Sequence, residues 1–267
     1  MNNNTPTLKL SHDRKVRYYN NQKNSLGLLP GPEGTCPYAT QGEGGCWNVP
    51  HKRKLYTCYV DKCMTLYPNV RGLLEHNTNL LKNANTATQT ELLNNTFEVF
   101  KTKEYNKTLK DNSQGSEKSR LNFRLHWAGD IYDRSYAVAL RDAMLNHKDI
   151  FFWMYTRSFP WVPILKDVNN LSLFLSLDHQ NINQGLETYC QNKWPNLKIA
   201  YMAPEDDWQT QLKKLTGFTS EELKILRRIK LTPCPVDTGK MELVESCIKC
   251  KLCLRNDKKI HIWFKTK

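Results

Sequence analysis

The chain has 267 residues, of which 39% are hydrophobic and 10% aromatic, and a formal net charge of +13 at pH 7. It is long enough to bury one large core or two small ones. No apolar run approaches the ~18 residues of a membrane span, and the Asn/Thr-rich start, Met1 to Thr7, lacks the apolar stretch of a signal peptide. The expected setting is therefore the cytoplasm, where nine cysteines are better read as metal ligands or reactive thiols than as disulfides.

Gly27-Leu28-Leu29-Pro30-Gly31-Pro32-Glu33-Gly34 is a Gly/Pro-rich loop leading to Cys36. Residues 36–63 carry four cysteines around a Gly-rich insertion, Gly42-Glu43-Gly44-Gly45. Pro68 then starts a helix in which Val70, Leu73, Leu74, Asn77, Leu80 and Leu81 keep an i, i+3, i+4 rhythm. A second helix is expected over 90–105, and 106–119 is polar and loop-like.

From residue 120 the texture changes, and short apolar runs alternate with helical stretches. Strands are expected over 120–128, 150–156, 171–177 and 197–202, and helices over 133–146, 162–168, 183–193, 208–215 and 219–230. The last helix opens on a capping box, Thr219-x-x-Glu222. Residues 230–232 lead into Cys234, and 259–264 close the chain as a strand. Such alternation implies parallel βαβ units of one hand. The expected fold is α/β, a partial or open TIM-like (β/α) barrel with cysteine-rich N-terminal and C-terminal segments. Its expected divisions are 1–118, a barrel core over 119–233, and a C-terminal cysteine segment with the last strand over 234–267.

Cysteine spacing is the most specific chemical signal. Cys247-x2-Cys250-x2-Cys253, with Cys234-Pro235 upstream, follows the ligand pattern of bacterial iron–sulfur clusters. Zinc also uses C-x2-C pairs, but its sites usually combine two separated pairs. Cys36, Cys46, Cys58 and Cys63 are irregularly spaced and form a weaker motif, in which Cys63 is either a fourth ligand or a buried thiol. His51 and His76 are further candidate ligands, and Cys190 is the bystander.

In parallel α/β barrels the site is built at the carboxyl ends of the strands. Here those ends carry His126-Trp127-Ala128-Gly129-Asp130, Tyr155-Thr156-Arg157-Ser158, Ser176-Leu177-Asp178-His179, Pro204-Glu205-Asp206-Asp207 and Cys234. Gly129-Asp130 either approaches a ligand closely or forms a simple strand-to-helix turn with Asp130 or Asp133 as N-cap. Arg157 offers a forked cation for a carboxylate or phosphate, or pairs with Asp130 or Asp178. His126 is a ligand contact or a satisfied interior residue.

The order of these parts resembles a phage family known as "gene product 88". The shared parts are Thr35-Cys36-Pro37, Cys46, Cys58-Tyr59, His-x-x-Gly129-Asp130, Tyr155-Thr156-Arg157-Ser158, Ser176-x-Asp178 and the closing Cys-Pro and C-x2-C-x2-C. The layout is also similar to radical S-adenosylmethionine proteins, which join a three-cysteine cluster to a partial (β/α) barrel. That similarity implies a 4Fe–4S cluster on Cys36, Cys46 and Cys58 with one iron open to S-adenosylmethionine. It further implies Gly129-Asp130 at the methionine amine, Ser176 and Asp178 at the ribose, and an auxiliary cluster on Cys234, Cys247, Cys250 and Cys253. The pattern departs from C-x3-C-x2-C on one short loop, and four-thiolate ligation through Cys63 would close the open iron.

Two functions follow. One is an iron–sulfur protein of phage type in the host cytoplasm, similar to radical S-adenosylmethionine enzymes and acting on an unknown substrate. The other is a non-catalytic module, stabilised by zinc or closed clusters, whose +13 charge binds nucleic acid with steep salt dependence. The same charge is also what a soluble surface rich in Lys and Arg would carry.

Overall fold

The computed structural model describes residues 6–16, 22–41, 45–47, 58–105, 121–203, 207–254 and 259–265. The loop expected over 106–119, most of the Gly-rich insertion, His51 and the Pro204-Glu205-Asp206 strand end lie outside the described residues. Six strands form one parallel sheet: β1 (Leu121–Arg124), β2 (Ile150–Thr156), β3 (Leu171–Leu177), β4 (Leu197–Ala203), β5 (Leu231–Pro233) and β6 (His261–Lys265). The sheet curls into a half-barrel in the order β1-β2-β3-β4-β6-β5.

The runs Ile-Phe-Phe-Trp-Met-Tyr-Thr, Leu-Ser-Leu-Phe-Leu-Ser-Leu and Leu-Lys-Ile-Ala-Tyr-Met-Ala are buried on both faces, as a covered parallel sheet requires. Alternate residues take opposite sides. Ile150, Phe152, Met154, Leu173, Leu175, Leu177, Ile199 and Tyr201 face the main core, with α3 (Thr86–Val99), α4 (Arg134–Asn146) and α5 (Ile182–Gln191). Phe151, Trp153, Tyr155, Phe174, Ala200 and Ile262 face inward and meet a different covering, the chain around Cys234, Cys247, Cys253 and Leu254. The convex face is thus a helix-covered core, and the concave face is covered by cysteine-bearing segments.

Other helices are α1 (Tyr59–Leu66), α2 (Pro68–Lys82), α6 (Trp208–Leu212), α7 (Ser220–Arg227) and α8 (Ser246–Cys250), with a 3-10 helix over Phe159–Leu165. α1 and α8 have no sequence signal, because their short Cys-bearing stretches lack an apolar helical rhythm. α3 starts earlier than the expected 90, since the Asn85 side chain caps it by accepting from the Thr88 N–H at 2.9 Å. It continues past Val99 as a π-helical turn, Phe100–Tyr105. α7 keeps its capping box, with both reciprocal bonds between Thr219 and Glu222 present.

Two expectations need correction. The strand expected over 120–128 stops at Arg124, because His126 takes a positive φ of 53°, which no strand residue can hold. The final strands also do not follow barrel order. After β5 the chain leaves at Cys234, runs through the cysteine segment, and returns as β6 between β4 and β5. A barrel wound strictly in sequence would have paired β5 with β4. Among the described residues, no helix is long and apolar enough to cross a membrane.

β6 is registered by a buried histidine. His261 Nδ1 accepts the Ile199 N–H at 2.9 Å, so the neutral ring serves as an acceptor within the sheet. Burial, reinforced by the charges of Lys259 and Lys198, pushes its pKa down to about 3. An unfolded chain protonates this ring near pH ~6.5. The folded chain binds fewer protons between about 6.5 and 3, so its stability is complete above that window and lost as pH falls through it. Urea midpoints should fall on acidification from pH 7 to 5, and His261→Gln should flatten that slope; an equal slope in both proteins refutes the assignment.

Candidate functional site

The concave face encloses a cavity of about 390 Å³. Along β2, β3 and β4 one residue per strand is left partly open, and these three, Tyr155, Ser176 and Met202, form part of its wall. Both cysteine sets reach the same space. Cys36, Cys46 and Cys58 line it from the N-terminal segment, and Cys234, Cys247 and Cys253 from the C-terminal one. All nine cysteines are free thiols.

Cys36 sits in the turn following the Gly/Pro-rich loop. There Gly31 has φ +95°, and a Cβ would strike the Trp47 ring at 2.7 Å, so glycine lets this loop pack against the segment that carries Cys46. Cys58 is the N-cap residue of α1. Burial raises the Cys36 thiol pKa strongly, with further upward contributions from Asp130, Cys58 and Cys46, while the Gly31 N–H offsets part of it. Burial likewise raises Cys58; the N–H groups of Asp61 and Val60 oppose it, and Cys46 adds to it. The three thiols therefore feel one another's charge. Thiols held protonated by desolvation, as Cys36 and Cys58 are, ionise readily only when a cation joins them. Cys63 lies further along α1 and is absent from the cavity wall.

A network at the strand ends fixes this thiol-bearing loop. Asp130 is buried and accepts from Thr156 Oγ1 at 2.6 Å, the Arg157 N–H at 2.8 Å and the Ile131 N–H at 2.8 Å. Burial raises its pKa and those donors pull it back. Its carboxylate is engaged as a structural tie, whereas Asp133 is the true N-cap of α4, accepting the Tyr136 N–H at 2.7 Å. Gly129 has φ +80°, and a Cβ there would meet Thr35 Oγ1 at 2.4 Å, so this glycine serves the packing of the 28–35 loop. Arg157 pairs with Asp178, Nη1 to Oδ2 at 2.5 Å, in a buried ion pair. Thr40 joins it. Its hydroxyl donates to Asp178 Oδ2 at 2.7 Å and accepts from Arg157 Nη1 and the Cys46 N–H, each at 2.9 Å. One donor and two acceptor positions are all a hydroxyl has, so Thr40 is saturated and pins Cys46 to the sheet rim.

At the other end, Cys247 and Cys253 pack with Phe151 and Trp153, and Cys234 and Cys253 with Phe174 and Ile262. The Cys247 N–H donates to the Lys15 carbonyl at 2.9 Å and the Glu245 N–H to the Arg14 carbonyl at 2.8 Å, so α8 is docked on the 14–15 turn. Burial raises Cys253 to about 12, Tyr155 opposes the shift by its hydrogen bond, and Cys247, Cys234 and Cys250 add to it. Burial takes Cys247 to about 11. Cys250 is raised by burial, the Leu252 N–H lowers it, and Cys234 raises it further. Cys234, Cys247 and Cys253 thus line the cavity and pack on the sheet's concave face, while Cys250 is not among the lining residues. Among the described residues, no three His, Cys, Asp or Glu side chains stand in the arrangement a metal ion takes.

Gly129, Asp130, Arg157 and Ser176 all reach the cavity, whereas Asp178 stands behind Arg157. His126 is nearly buried but lines the cavity; its Nε2 meets Tyr136 Oη at 2.9 Å, its Nδ1 has no partner among the described residues, and burial depresses its pKa to about 3. His76 is apart from the thiols, with Nε2 on the Thr7 carbonyl at 2.9 Å. Sequence reading missed Trp47, Trp153 and Thr40, and it named Tyr59, Trp127 and Tyr155 only as parts of motifs, without their place in the aromatic wall. For Trp153 and Tyr155 a signal existed, because they share a strand face with Phe151 by the two-residue period. Tyr59 is 54% exposed, lines the cavity, and donates its phenol proton to the Trp127 carbonyl.

Thr40→Val should free the Cys46 loop. Alkylation of Cys46 by iodoacetamide should quicken severalfold, with a stability loss of about 1–3 kcal/mol for the unsatisfied partners, and Thr40→Ser should restore both. Unchanged Cys46 reactivity in Thr40→Val would show that the loop is held by other contacts.

A protein-family model described as "Gene product 88" matches residues 2–256. Two curated relatives are each called "Gene 88 protein". The one from Mycobacterium phage L5 is 26% identical over 269 residues, covering 95% of this chain and 96% of the relative. The one from Mycobacterium phage D29 is 26% identical over 271 residues, with the same coverage. No solved structure is significantly similar to the chain. With the family model spanning nearly the whole sequence, the chain belongs to the gene product 88 family of bacteriophage proteins.

Proposed function

We propose that this protein is an iron–sulfur protein whose N-terminal thiols, Cys36, Cys46 and Cys58, hold a cluster at the mouth of the half-barrel and whose Cys234, Cys247, Cys250 and Cys253 hold a second. The observation that carries the reading is that six thiols from the two ends of the chain line one cavity on the concave face of a parallel sheet, while Cys63 and Cys250 do not; Cys250 is assigned to the second set by its spacing from Cys247 and Cys253. Three thiols are the number that leaves one iron of a 4Fe–4S cluster without a protein ligand. When bound, such a cluster supplies an open iron for S-adenosylmethionine and an electron for its reductive cleavage, with the cofactor carrying the difficult chemistry.

The residues present fit such a pair of groups. Both sets are half-buried free thiols, a donor type suited to a soft metal centre. Arg157 Nη2 and the indole N–H groups of Trp127 and Trp153 are buried without a hydrogen-bond partner among the described residues. Each unsatisfied donor costs about 1–3 kcal/mol, and a bound molecule carrying carboxylate and hydroxyl oxygens would relieve that cost. Arg157, held rigid by Asp178 and Thr40, is placed to orient a carboxylate beside the thiols. Ser176 offers a hydroxyl on the cavity wall, and Trp47, Trp127 and Trp153 give it apolar sides that exclude water. The free thiols suit the reducing cytoplasm of an infected host.

Anaerobically purified protein should be brown, contain iron and acid-labile sulfide, and bleach with dithionite. Cys58→Ala should lose about half of the iron, and Cys63→Ala should keep all of it. Equal iron loss in the two variants rules out the three-thiol site, and colourless protein with one or two zinc ions rules out clusters altogether.

A further inference from the structure

Among the described residues, one sheet side chain hydrogen-bonds a cysteine sulfur: Tyr155 Oη donates to Cys253 Sγ at 3.2 Å. Tyr155 stands near the carboxyl end of β2, and its ring lines the cavity beside Cys234, Cys247 and Cys253. Neighbouring rings hold it in place: Phe174 at 5.0 Å, and Trp153 and Phe264 each at 5.7 Å between centroids. The phenol therefore has a fixed direction and aims at one sulfur. On its other side Cys253 packs with Phe174, Ile262 and Leu252, so the surroundings of the bond are largely apolar.

We propose that Tyr155 sets the reduction potential of the C-terminal four-thiol centre. This rests on the reading of that centre as an iron–sulfur cluster. Reduction adds one negative charge, shared by the ligating sulfurs, so a hydrogen bond to a sulfur stabilises the reduced form more than the oxidised form and raises the potential. In a low-dielectric setting such a bond acts more strongly than it would in water. The N-terminal thiols are served differently. Cys36 faces the Gly31 N–H, and Cys58 those of Asp61 and Val60, so backbone donors act there and Tyr155 does not. The phenol is a positioning group that works through Cys253. It makes the C-terminal centre a redox site tuned from the cavity wall, beyond its part in closing the concave face.

The test uses the full chain with Cys36→Ala, Cys46→Ala and Cys58→Ala, so that only the C-terminal centre loads with iron and sulfide. Tyr155 and Tyr155→Phe forms are titrated anaerobically against redox dyes, followed by visible absorption and electron paramagnetic resonance. Equal iron per chain with a more negative midpoint in Tyr155→Phe supports the proposal. Equal iron and equal midpoints overturn it while leaving the iron–sulfur reading intact. Loss of iron in Tyr155→Phe alone also overturns it, since the role is then structural. Failure of the parent to load any iron overturns both. Should the triple variant not fold, the same titration in the chain with all nine cysteines resolves two steps, and only one should move; a shift of both or of neither refutes the proposal.

Discussion

A parallel sheet is stable only when both faces are covered, and here helices cover only one. α3, α4, α5 and the 3-10 helix seal the convex face with a continuous aliphatic and aromatic core. The inward side chains of β2, β3 and β4, among them Phe151, Trp153, Tyr155, Phe174 and Ala200, are left to the segments that precede and follow the sheet. That requirement explains why both cysteine regions come to one place. Each supplies part of the concave lid, and each carries its thiols to the same enclosed space. Covering the sheet and building the site are one act of folding.

The N-terminal lid is the more precisely anchored of the two. Its Cys46 loop reaches the sheet through the Thr40 hydroxyl, and that hydroxyl is shared with the Arg157–Asp178 pair. A buried ion pair contributes little net stability by itself, because desolvation cancels much of its attraction. Its value here is directional. Asp178 also accepts the Gln180 and Asn181 N–H groups, which fixes the carboxylate, and the carboxylate fixes Arg157 and Thr40. Asp130 does the same for the neighbouring turn by binding Thr156 and the Arg157 backbone. Asp130 and Asp178 thus frame the thiol-bearing loop, while Gly129, Asp130, Arg157 and Ser176 also form part of the cavity wall.

That distinction marks the limit of what the sequence disclosed. The three long strands were legible because each is a seven-residue apolar run bounded by turns, and α4 and α7 because cap and periodicity agree. The C-terminal thiols were legible because their spacing is local. The β5/β6 exchange was not, because it depends on which edge of the sheet the returning chain finds. Nor was Thr40: a threonine in a loop has no pattern, and its three partners lie up to 138 residues away. The reading of Arg157 as paired with Asp178 was one of two sequence alternatives, and distance alone could choose between them.

Position along the strands also separates the two thiol sets. Cys36, Cys46 and Cys58 gather beside Gly129, Asp130 and Arg157, the residues that follow the carboxyl ends of β1 and β2. Loops at that end of parallel strands generally hold ligands. Cys247 and Cys253 lie instead against Phe151 and Trp153, along the body of β2. Both sets nonetheless line the one cavity, the first beside the strand ends and the second against the concave face of the sheet. The same curled sheet therefore brings two thiol sets to a single cavity, whose wall they share with Tyr155 and Trp153.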